Sequence, residues 1–270
     1  MYEFSFRRPK SLDEATAAFE SADDAFFVSG GHTLLPTMKN RLAAPSDLID
    51  LAHLPELHGI TRDGDALVIG AAETHCAVAA SPLVQATIPA LAQLAGSIGD
   101  MQVRHRGTIG GSVANNDPAA DYPSAVLALG ATVITSTREI GAEAFFDGMF
   151  ATVLEPGEII TGIAFPIPPS AGYAKMRNPA SRYALAASFV VRMGDSVRVA
   201  ITGAGLDGVF RWAEAEDALR ASFAGPALNG IALKPEDMMG DMHAAASYRA
   251  HLAAVCTRRA VDNQGRLTLL

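Results

Sequence analysis

Cysteine is scarce in this chain of 270 residues. Its two cysteines, Cys76 and Cys256, lie far apart and in no Cys-x-x-Cys or Cys/His spacing. Disulfide frameworks, zinc sites and iron–sulfur clusters all require a set of suitably spaced sulfur or nitrogen ligands. The sequence therefore encodes none of the three.

Positive charge is also scarce, because 21 Lys and Arg residues stand against 29 Asp and Glu residues. The formal net charge of −8 and the isoelectric point near 5.3 describe an acidic protein. Nucleic acids and anionic membrane surfaces attract basic proteins. Neither is expected as a partner.

A long uninterrupted apolar run is missing. Residues 74–99 contain no charged side chain, but Pro82, Pro89, Gln85 and Gln93 interrupt them. A membrane-spanning helix needs about 20 mainly apolar residues, so no integral membrane segment is expected. The N-terminal residues 1–4 show no signal-peptide pattern, and a cytoplasmic location is therefore expected.

Two glycine-rich segments stand out. In the first, a short strand over residues 24–29 is predicted to end at Gly30-Gly31 and to lead into a helix over residues 34–42. Such a turn places free backbone amides and the positive end of a helix where a diphosphate can sit. Taken alone, this pattern is equally consistent with a structural turn.

The second glycine-rich segment covers residues 96–125, which we interpret as a ligand-binding loop. It contains the pair Gly110-Gly111, short hydroxyl side chains and the run Arg104-His105-Arg106. Glycines let a backbone approach a ligand closely, and neighbouring hydroxyls and amides favour anions. The basic side chains either face a diphosphate or pair with nearby acids.

The rest of the chain is predicted to alternate helices and strands. Ser11 and Glu14 form a capping box for a helix that runs to Glu20, and His75 is expected to cap or pack a helix. Residues 166–172, rich in Pro and Gly, predict a domain boundary. Strands are predicted over residues 47–51, 66–70, 131–137, 157–163, 188–193 and 196–202, and further helices over residues 125–129, 212–222 and 238–260.

A third glycine pattern, Gly203 to Gly208, satisfies GxGxxG after a strand. A dinucleotide site of that type needs a second strand with an acidic residue about 20 positions further on. The sequence instead runs from a helix into Ala224-Gly225-Pro226. This pattern is therefore interpreted as unrelated to dinucleotide binding.

The two glycine-rich segments resemble a known pair of motifs. They are similar to the two flavin motifs of the FAD-binding medium subunit of the molybdenum hydroxylases, which form the xanthine dehydrogenase family. The first motif resembles residues 29–42, and the second resembles residues 104–112 together with residues 117–123. Within the family, the resemblance is greatest to the carbon monoxide dehydrogenase branch. Thr33 replaces the more usual Ser and keeps the hydroxyl. Asn115-Asn116 replaces a pair that usually contains Ala and His.

The resemblance covers nearly the whole chain and implies its architecture. The expected fold is α+β: an FAD-binding domain of the vanillyl-alcohol-oxidase/p-cresol-methylhydroxylase type with two α/β subdomains, followed by a small α+β domain with an antiparallel sheet. The FAD-binding domain is expected over residues 1–168, with subdomains over residues 1–53 and 54–168. The C-terminal domain is expected over residues 169–270.

The resemblance also implies FAD as the cofactor. The residues expected to bind it are Phe27, Val28, Ser29, Gly30, Gly31, His32, Thr33, Leu34, Ile98, Thr108, Ile109, Gly110, Gly111, Ser112, Asp121, Ile160, Lys175 and Tyr183.

Individual roles follow from the same resemblance. The two glycine motifs bracket the diphosphate and the ribityl chain, and Asp121 accepts a hydrogen bond from a ribose or ribityl hydroxyl. Ile98 and Ile160 line the slots for the rings. Lys175 lies at the pyrimidine edge of the flavin and Tyr183 covers one ring face; a surface lysine and a core tyrosine are the alternatives for these two.

The function implied by the resemblance is electron transfer. The expected partners are a molybdopterin-binding large subunit and a small subunit with [2Fe–2S] clusters, and the expected electron acceptor is NAD, quinone or oxygen. The absence of a Ser-His-Asp or paired-carboxylate pattern is consistent with chemistry carried by a cofactor. Two other functions remain open: a stand-alone FAD-dependent oxidoreductase, and a structural or assembly subunit that has lost FAD.

Overall fold

The computed structural model describes residues 1–264 and 268–269, and these form three β-sheets. The first sheet has three parallel strands in the order β1-β3-β2. Its unit consists of β1 (Ser5–Arg7), α1 (Leu12–Glu20), β2 (Ala25–Val28), α2 (Leu34–Lys39) and β3 (Asp47–Asp50).

Local signals explain the boundaries of the two helices in this unit. The Ser11 hydroxyl accepts the Glu14 backbone N–H at 3.2 Å, and the Glu14 carboxylate accepts the Lys10 N–H at 2.8 Å, which caps α1 where predicted. Helix α2 is shorter than predicted. It ends at Lys39 because Arg41 takes a left-handed conformation with φ 60°, which turns the chain out of the helix.

The second sheet has five strands in the order β4-β5-β8-β6-β7, all antiparallel to their neighbours. Its helices lie between β5 and β6 and after β7. The elements are β4 (Ile60–Asp63), β5 (Ala66–Gly70), α3 (His75–Ala80), α4 (Pro82–Thr87), α5 (Pro89–Gly96), α6 (Met101–Arg104), α7 (Ile109–Asn115), α8 (Tyr122–Leu129), β6 (Thr132–Thr135), β7 (Glu139–Gly141), α9 (Ala142–Phe145) and β8 (Ile160–Pro166).

The prediction of a loop over residues 96–125 was wrong. Half of this segment folds into α6, α7 and the start of α8. Asp100 and Thr108 cap the first two of these helices, because their side chains accept backbone N–H groups at 2.9 and 3.2 Å. The Thr108 hydroxyl, one of the short hydroxyl side chains that suggested ligand binding, thus also acts as a helix cap.

The chain enters the third sheet between Pro166 and Ser170. This sheet has the order β12-β11-β10-β9-β13; its strands are antiparallel, except that β13 runs parallel to β9. The elements are β9 (Ser170–Arg177), β10 (Ala184–Met193), β11 (Ser196–Gly205), β12 (Gly208–Arg211), α10 (Ala213–Ala221), α11 (Ala246–Asp262) and β13 (Thr268–Leu269). The predicted α+β fold class is confirmed.

The third sheet buries both of its faces. Phe189 and Val191 in β10 belong to the same hydrophobic cluster as helices α5 and α8 of the second unit. Val190, between them in sequence, packs with α10 and α11 on the opposite face. Successive residues of a strand point to opposite faces, so one strand contributes to two cores.

Turns explain one corrected expectation for this unit and the position of its glycine pattern. The helix predicted over residues 238–260 begins only at Ala246, because the Asp241 carboxylate accepts the N–H groups of His243 and Ala244 at 2.8 and 2.9 Å and turns the chain there. The glycine pattern over residues 203–208 lies in the β11–β12 hairpin, where Gly205 pairs with Gly208.

A buried polar cluster joins the second and third units. Asp121 precedes α8, and its carboxylate accepts hydrogen bonds from the Tyr173 hydroxyl and from Lys175 Nζ, both on β9. Lys175 Nζ lies 2.8 and 2.9 Å from the two carboxylate oxygens. Tyr173 and Lys175 are fully buried. A buried charge needs a partner of opposite sign, and here each unit supplies one.

A second buried carboxylate, Glu158, lies just before β8. It accepts hydrogen bonds from the Arg138 guanidinium at 2.9 Å, from the Thr135 hydroxyl at 2.7 Å and from the Glu155 N–H at 2.8 Å. The bond from Arg138 is the largest of the effects that lower the pKa of Glu158 to about 2. Glu158 therefore ties the β6–β7 turn to the start of β8.

Replacement of Lys175 by Met is expected to lower the free energy of unfolding by about 3–5 kcal/mol, since it leaves the Asp121 carboxylate buried without a cation. The double variant Asp121→Asn with Lys175→Met is expected to recover part of this loss. Urea denaturation of both variants measures the difference. Equal losses in the single and double variants would show that the charge pair is not the source of the effect.

Replacement of Glu158 by Gln is expected to lower the free energy of unfolding at pH 7 by about 2–4 kcal/mol. A lowered carboxyl pKa stabilises the folded state above the unfolded value of 4.5, and this contribution is lost as the pH falls towards about 2. The acid sensitivity of the parent in that interval should therefore shrink in the variant. Glu155→Gln, an exposed neighbour, is the control, and thermal melts from pH 7 to pH 2 make the measurement.

Candidate functional site

A cavity of about 750 Å³ opens between the three units. Its walls come from the β2–α2 turn, from the N-terminal half of α7, from the segment before β8 and from the β9–β10 turn. The volume lies within the range of about 300–1,000 Å³ that is typical of cofactor and ligand pockets.

The structure brings most of the predicted site residues to this cavity. Ile109 and Lys175 are the exceptions: Ile109 is buried in the core of the second unit, and Lys175 lies behind Asp121. The predicted residues that line the cavity are Phe27, Val28, Ser29, Gly30, Gly31, His32, Thr33, Leu34, Ile98, Thr108, Gly110, Gly111, Ser112, Asp121, Ile160 and Tyr183.

The two glycine motifs touch each other at the cavity wall. A Cβ atom on Gly30 would lie 2.5 Å from the backbone oxygen of Arg106 and 2.7 Å from the Cα atom of Gly107. A Cβ atom on Gly110 would lie 2.6 Å from the Ala71 side chain. All three distances are too short for a Cβ atom. Glycine is therefore required at both positions to bring the backbones together.

The motifs differ in the hydrogen-bond donors that they offer. In the first turn of α7, the N–H of Ile109 donates to the backbone oxygen of Glu73 at 3.0 Å. The N–H of Gly110 donates to the backbone oxygen of Ala71 at 2.9 Å. The N–H of Gly111 donates to the Thr108 hydroxyl at 3.2 Å. These donors are therefore already satisfied within the protein.

The first motif keeps its donors free. Within residues 1–264, no acceptor binds the backbone N–H groups of Gly30, Gly31, His32 and Thr33. The Ser29 hydroxyl is buried and has no partner in the same part of the chain. Buried polar groups are normally hydrogen-bonded, so an acceptor-rich ligand would satisfy this turn.

The basic run of the second motif takes neither of its two expected roles. Arg104 donates to the backbone oxygens of Ile98 and Gly99 at 3.0 and 3.1 Å. His105 contacts the Met101 oxygen at 2.7 Å, and Arg106 is exposed outside the cavity lining. The run braces the segment that precedes α7.

His75 lines the cavity as a neutral side chain. Its ring packs at 5.4 Å from that of Tyr122, whereas Thr74 supplies the cap of α3, so the packing role is the one observed. Burial, followed by the charges of His32 and Arg104, lowers the pKa of His75 to about 3. This part of the wall therefore adds no positive charge at neutral pH.

Tyr183 lies at the mouth of the cavity and is 47% exposed. The β9–β10 turn presents it: the Asn178 carboxamide oxygen accepts the Ala180 N–H at 2.9 Å, and Arg182 has φ 64°. Burial, and then the charges of Asp117 and Asp121, raise the pKa of the Tyr183 hydroxyl. The ring therefore stays protonated and uncharged.

Sequence reasoning missed Phe150 and Asn116. Phe150 lines the cavity although it is 60% exposed. Its backbone N–H donates to the backbone oxygen of Asn116 at 3.0 Å. The buried Asn116 side chain donates to Gly148 and Ala151 at 2.7 and 2.8 Å. Asn tolerates the left-handed conformation found here at φ 42°, and this property is a signal that could have marked Asn116.

The apolar wall at the other end of the cavity was also missed. These side chains come from separate segments that fold together, so no local pattern links them. They are Leu51, Leu57, Ala71, Ala72, Leu154 and Ile159.

Two other kinds of site are absent from the part of the chain that the structure describes. None of its helices is both long and apolar enough to cross a membrane. The same residues contain no grouping of His, Cys, Asp and Glu side chains suited to hold a metal ion.

Proteins of known function are similar to this chain over nearly its whole length. The carbon monoxide dehydrogenase medium chain of Afipia carboxidovorans is 36% identical over 275 residues, which cover 96% of each chain. The nicotine 6-hydroxylase medium subunit of Paenarthrobacter nicotinovorans is 33% identical and covers 97% of this chain and 98% of its own. The solved structure of reconstituted CO dehydrogenase from Oligotropha carboxidovorans has a TM-score of 0.89 at 34% identity, over 96% of each chain.

A family match completes the assignment. Residues 2–168 match the family described as the FAD binding domain in molybdopterin dehydrogenase. These residues include the first two sheets and both glycine motifs, and the resemblance inferred from those motifs is confirmed. The chain therefore belongs to the family of FAD-binding medium subunits of molybdopterin dehydrogenases.

Proposed function

We propose that this FAD-binding oxidoreductase subunit takes electrons from the [2Fe–2S] clusters of a partner subunit and passes them to an external acceptor. The observation that carries the proposal is the contact of the two glycine motifs at Gly30 and Gly107, which forms one wall of the cavity. The free amides beside this contact are suited to the diphosphate of FAD.

The structure offers a specific fit for a diphosphate. In the proposal, the first motif supplies the main hydrogen-bond donors to the diphosphate. These donors are the free backbone N–H groups of Gly30, Gly31, His32 and Thr33. The Ser29 hydroxyl adds a further donor that has no partner within the described chain. Helix α7 contributes shape and dipole rather than free amides, since its first-turn N–H groups are already bonded.

Bound FAD would supply the redox chemistry, because it can accept electrons singly or in pairs and release them in either form. In the proposal, Asp121 accepts a hydrogen bond from a ribose or ribityl hydroxyl, and its carboxylate is held in place for this by Tyr173 and Lys175. Tyr183 covers one face of the flavin as an uncharged ring.

Lys175 has a modified role in this proposal. Its ammonium group binds both carboxylate oxygens of Asp121 and lies outside the cavity lining. It therefore acts on the cofactor through Asp121, and contact with the pyrimidine edge would require it to leave this buried pair. Paired with the Asp121 carboxylate, the Lys175 ammonium group gives this part of the cavity wall no net charge.

The proposed partners would supply the metal centres that this subunit lacks among its described residues. The described residues hold no metal-binding group, and the similar proteins are named as medium chains or medium subunits. We propose a molybdopterin-binding large subunit and a [2Fe–2S] small subunit as the partners. NAD, quinone or oxygen would be the acceptor, and the substrate would react on the large subunit in the cytoplasm.

Replacement of Ser29 by Ala is expected to weaken FAD binding about tenfold or more, because a hydrogen bond to a charged group is lost. The FAD-free variant should be as stable as the parent, since the Ser29 hydroxyl has no protein partner within residues 1–264. Titration of the FAD-free chain with FAD, followed by absorption, measures the affinity. A thermal melt of the same sample measures the stability.

Two glycine substitutions provide a matched pair for the same titration. Gly110→Ala would place a methyl group against Ala71 and is expected to remove FAD binding, whereas Gly141→Ala has open space around its Cβ and should bind FAD as the parent does. An FAD content near zero in the parent, even after co-expression with the two partner subunits, would favour the structural or assembly subunit. Substrate turnover by the isolated chain would favour the stand-alone oxidoreductase.

A further inference from the structure

We propose that Phe150 is a further cofactor-binding residue whose ring covers the bound nucleotide at the mouth of the cavity. Asn116 is the positioning residue that holds the ring there. This inference rests on the proposed function, because it assigns a role towards FAD to a residue that lies in neither glycine motif.

The first observation is the exposure of Phe150. Its side chain is 60% exposed while it lines the cavity together with Asn115 and Asp117. An aromatic side chain gains stability when its surface leaves water. A nucleotide in the cavity would offer Phe150 the apolar contact that the protein itself does not provide.

The second observation is the backbone of Phe150, which has φ 56°. This left-handed conformation is unfavourable for a bulky residue, and it persists only where the surroundings enforce it. Here the backbone oxygen of Asn116 accepts the Phe150 N–H at 3.0 Å. The strain at Phe150 is therefore maintained by a specific contact.

Asn116 is well suited to hold this loop. It is 1% exposed, and its carboxamide donates to the backbone oxygens of Gly148 and Ala151, which lie on either side of Phe150. The clamp comes from the end of α7, so the position of Phe150 is fixed relative to the second glycine motif.

The third observation is that Phe150 and Tyr183 line the same cavity, and both side chains are exposed. Phe150 comes from the second unit and Tyr183 from the third. Two exposed aromatic rings from different units therefore face one cavity.

The test compares the rate of FAD release from the parent and from variants of the full chain. Phe150→Ala is expected to release FAD about tenfold faster, because the contact with the nucleotide is lost. Phe150→Tyr keeps the ring and should release FAD at nearly the parental rate. Met149→Ala is the matched control, since Met149 is the neighbouring exposed residue and lies outside the cavity lining.

A second variant separates cofactor contact from a structural role. Phe150→Gly removes the ring and also relieves the left-handed backbone. Its FAD-free form is therefore expected to melt at a higher temperature than the FAD-free parent, while FAD release is as fast as in Phe150→Ala. If Phe150 served only to stabilise the loop, the glycine variant would melt at a lower temperature.

The clamp is tested by Asn116→Gly, which tolerates the left-handed conformation and lacks the carboxamide. Faster FAD release than in the parent supports the positioning role. Parental rates of release from a fully loaded Phe150→Ala variant overturn the inference and leave the proposed function intact. A parent chain without bound FAD overturns both.

Discussion

The close approach of two backbones, Gly30 against the Arg106–Gly107 peptide, is the constraint on which the site depends. No side chain fits between them, so the first and second units meet at van der Waals distance just where the cavity begins. This contact fixes the position of the turn over residues 30–33, which lines the cavity. The backbone N–H groups of this turn have no acceptor among the described residues. The site is thus formed by backbone geometry first and by side chains second.

The third unit is joined to this arrangement by charge as well as by apolar packing. Asp121 belongs to the second unit and Lys175 to the third, and neither charge is tolerable in the interior without the other. The pair sits directly behind the cavity wall. A single interaction therefore links the assembly of the chain to the electrostatics of the cofactor site.

The fold class and most of the cavity lining could be predicted from the sequence, because two local glycine patterns carry a family resemblance that implies both. Gly30-Gly31 and Gly110-Gly111 mark turns and helix starts that any reader of propensities can find, and a family resemblance orders them. Phe150 and Asn116 could not be found in this way, since their proximity depends on a loop that returns from residue 148 to the end of α7. The buried position of Lys175 was missed for the same reason, because its partner lies 54 residues away.

The two-sided core of strand β10 bears on how such proteins can recombine. Phe189 and Val191 complete the interior of the preceding unit, while Val190 completes that of the following one. A recombination event near residue 168 would separate side chains that must pack against one another in a shared core. The C-terminal part of the chain can therefore be exchanged only together with compensating changes in helices α5 and α8.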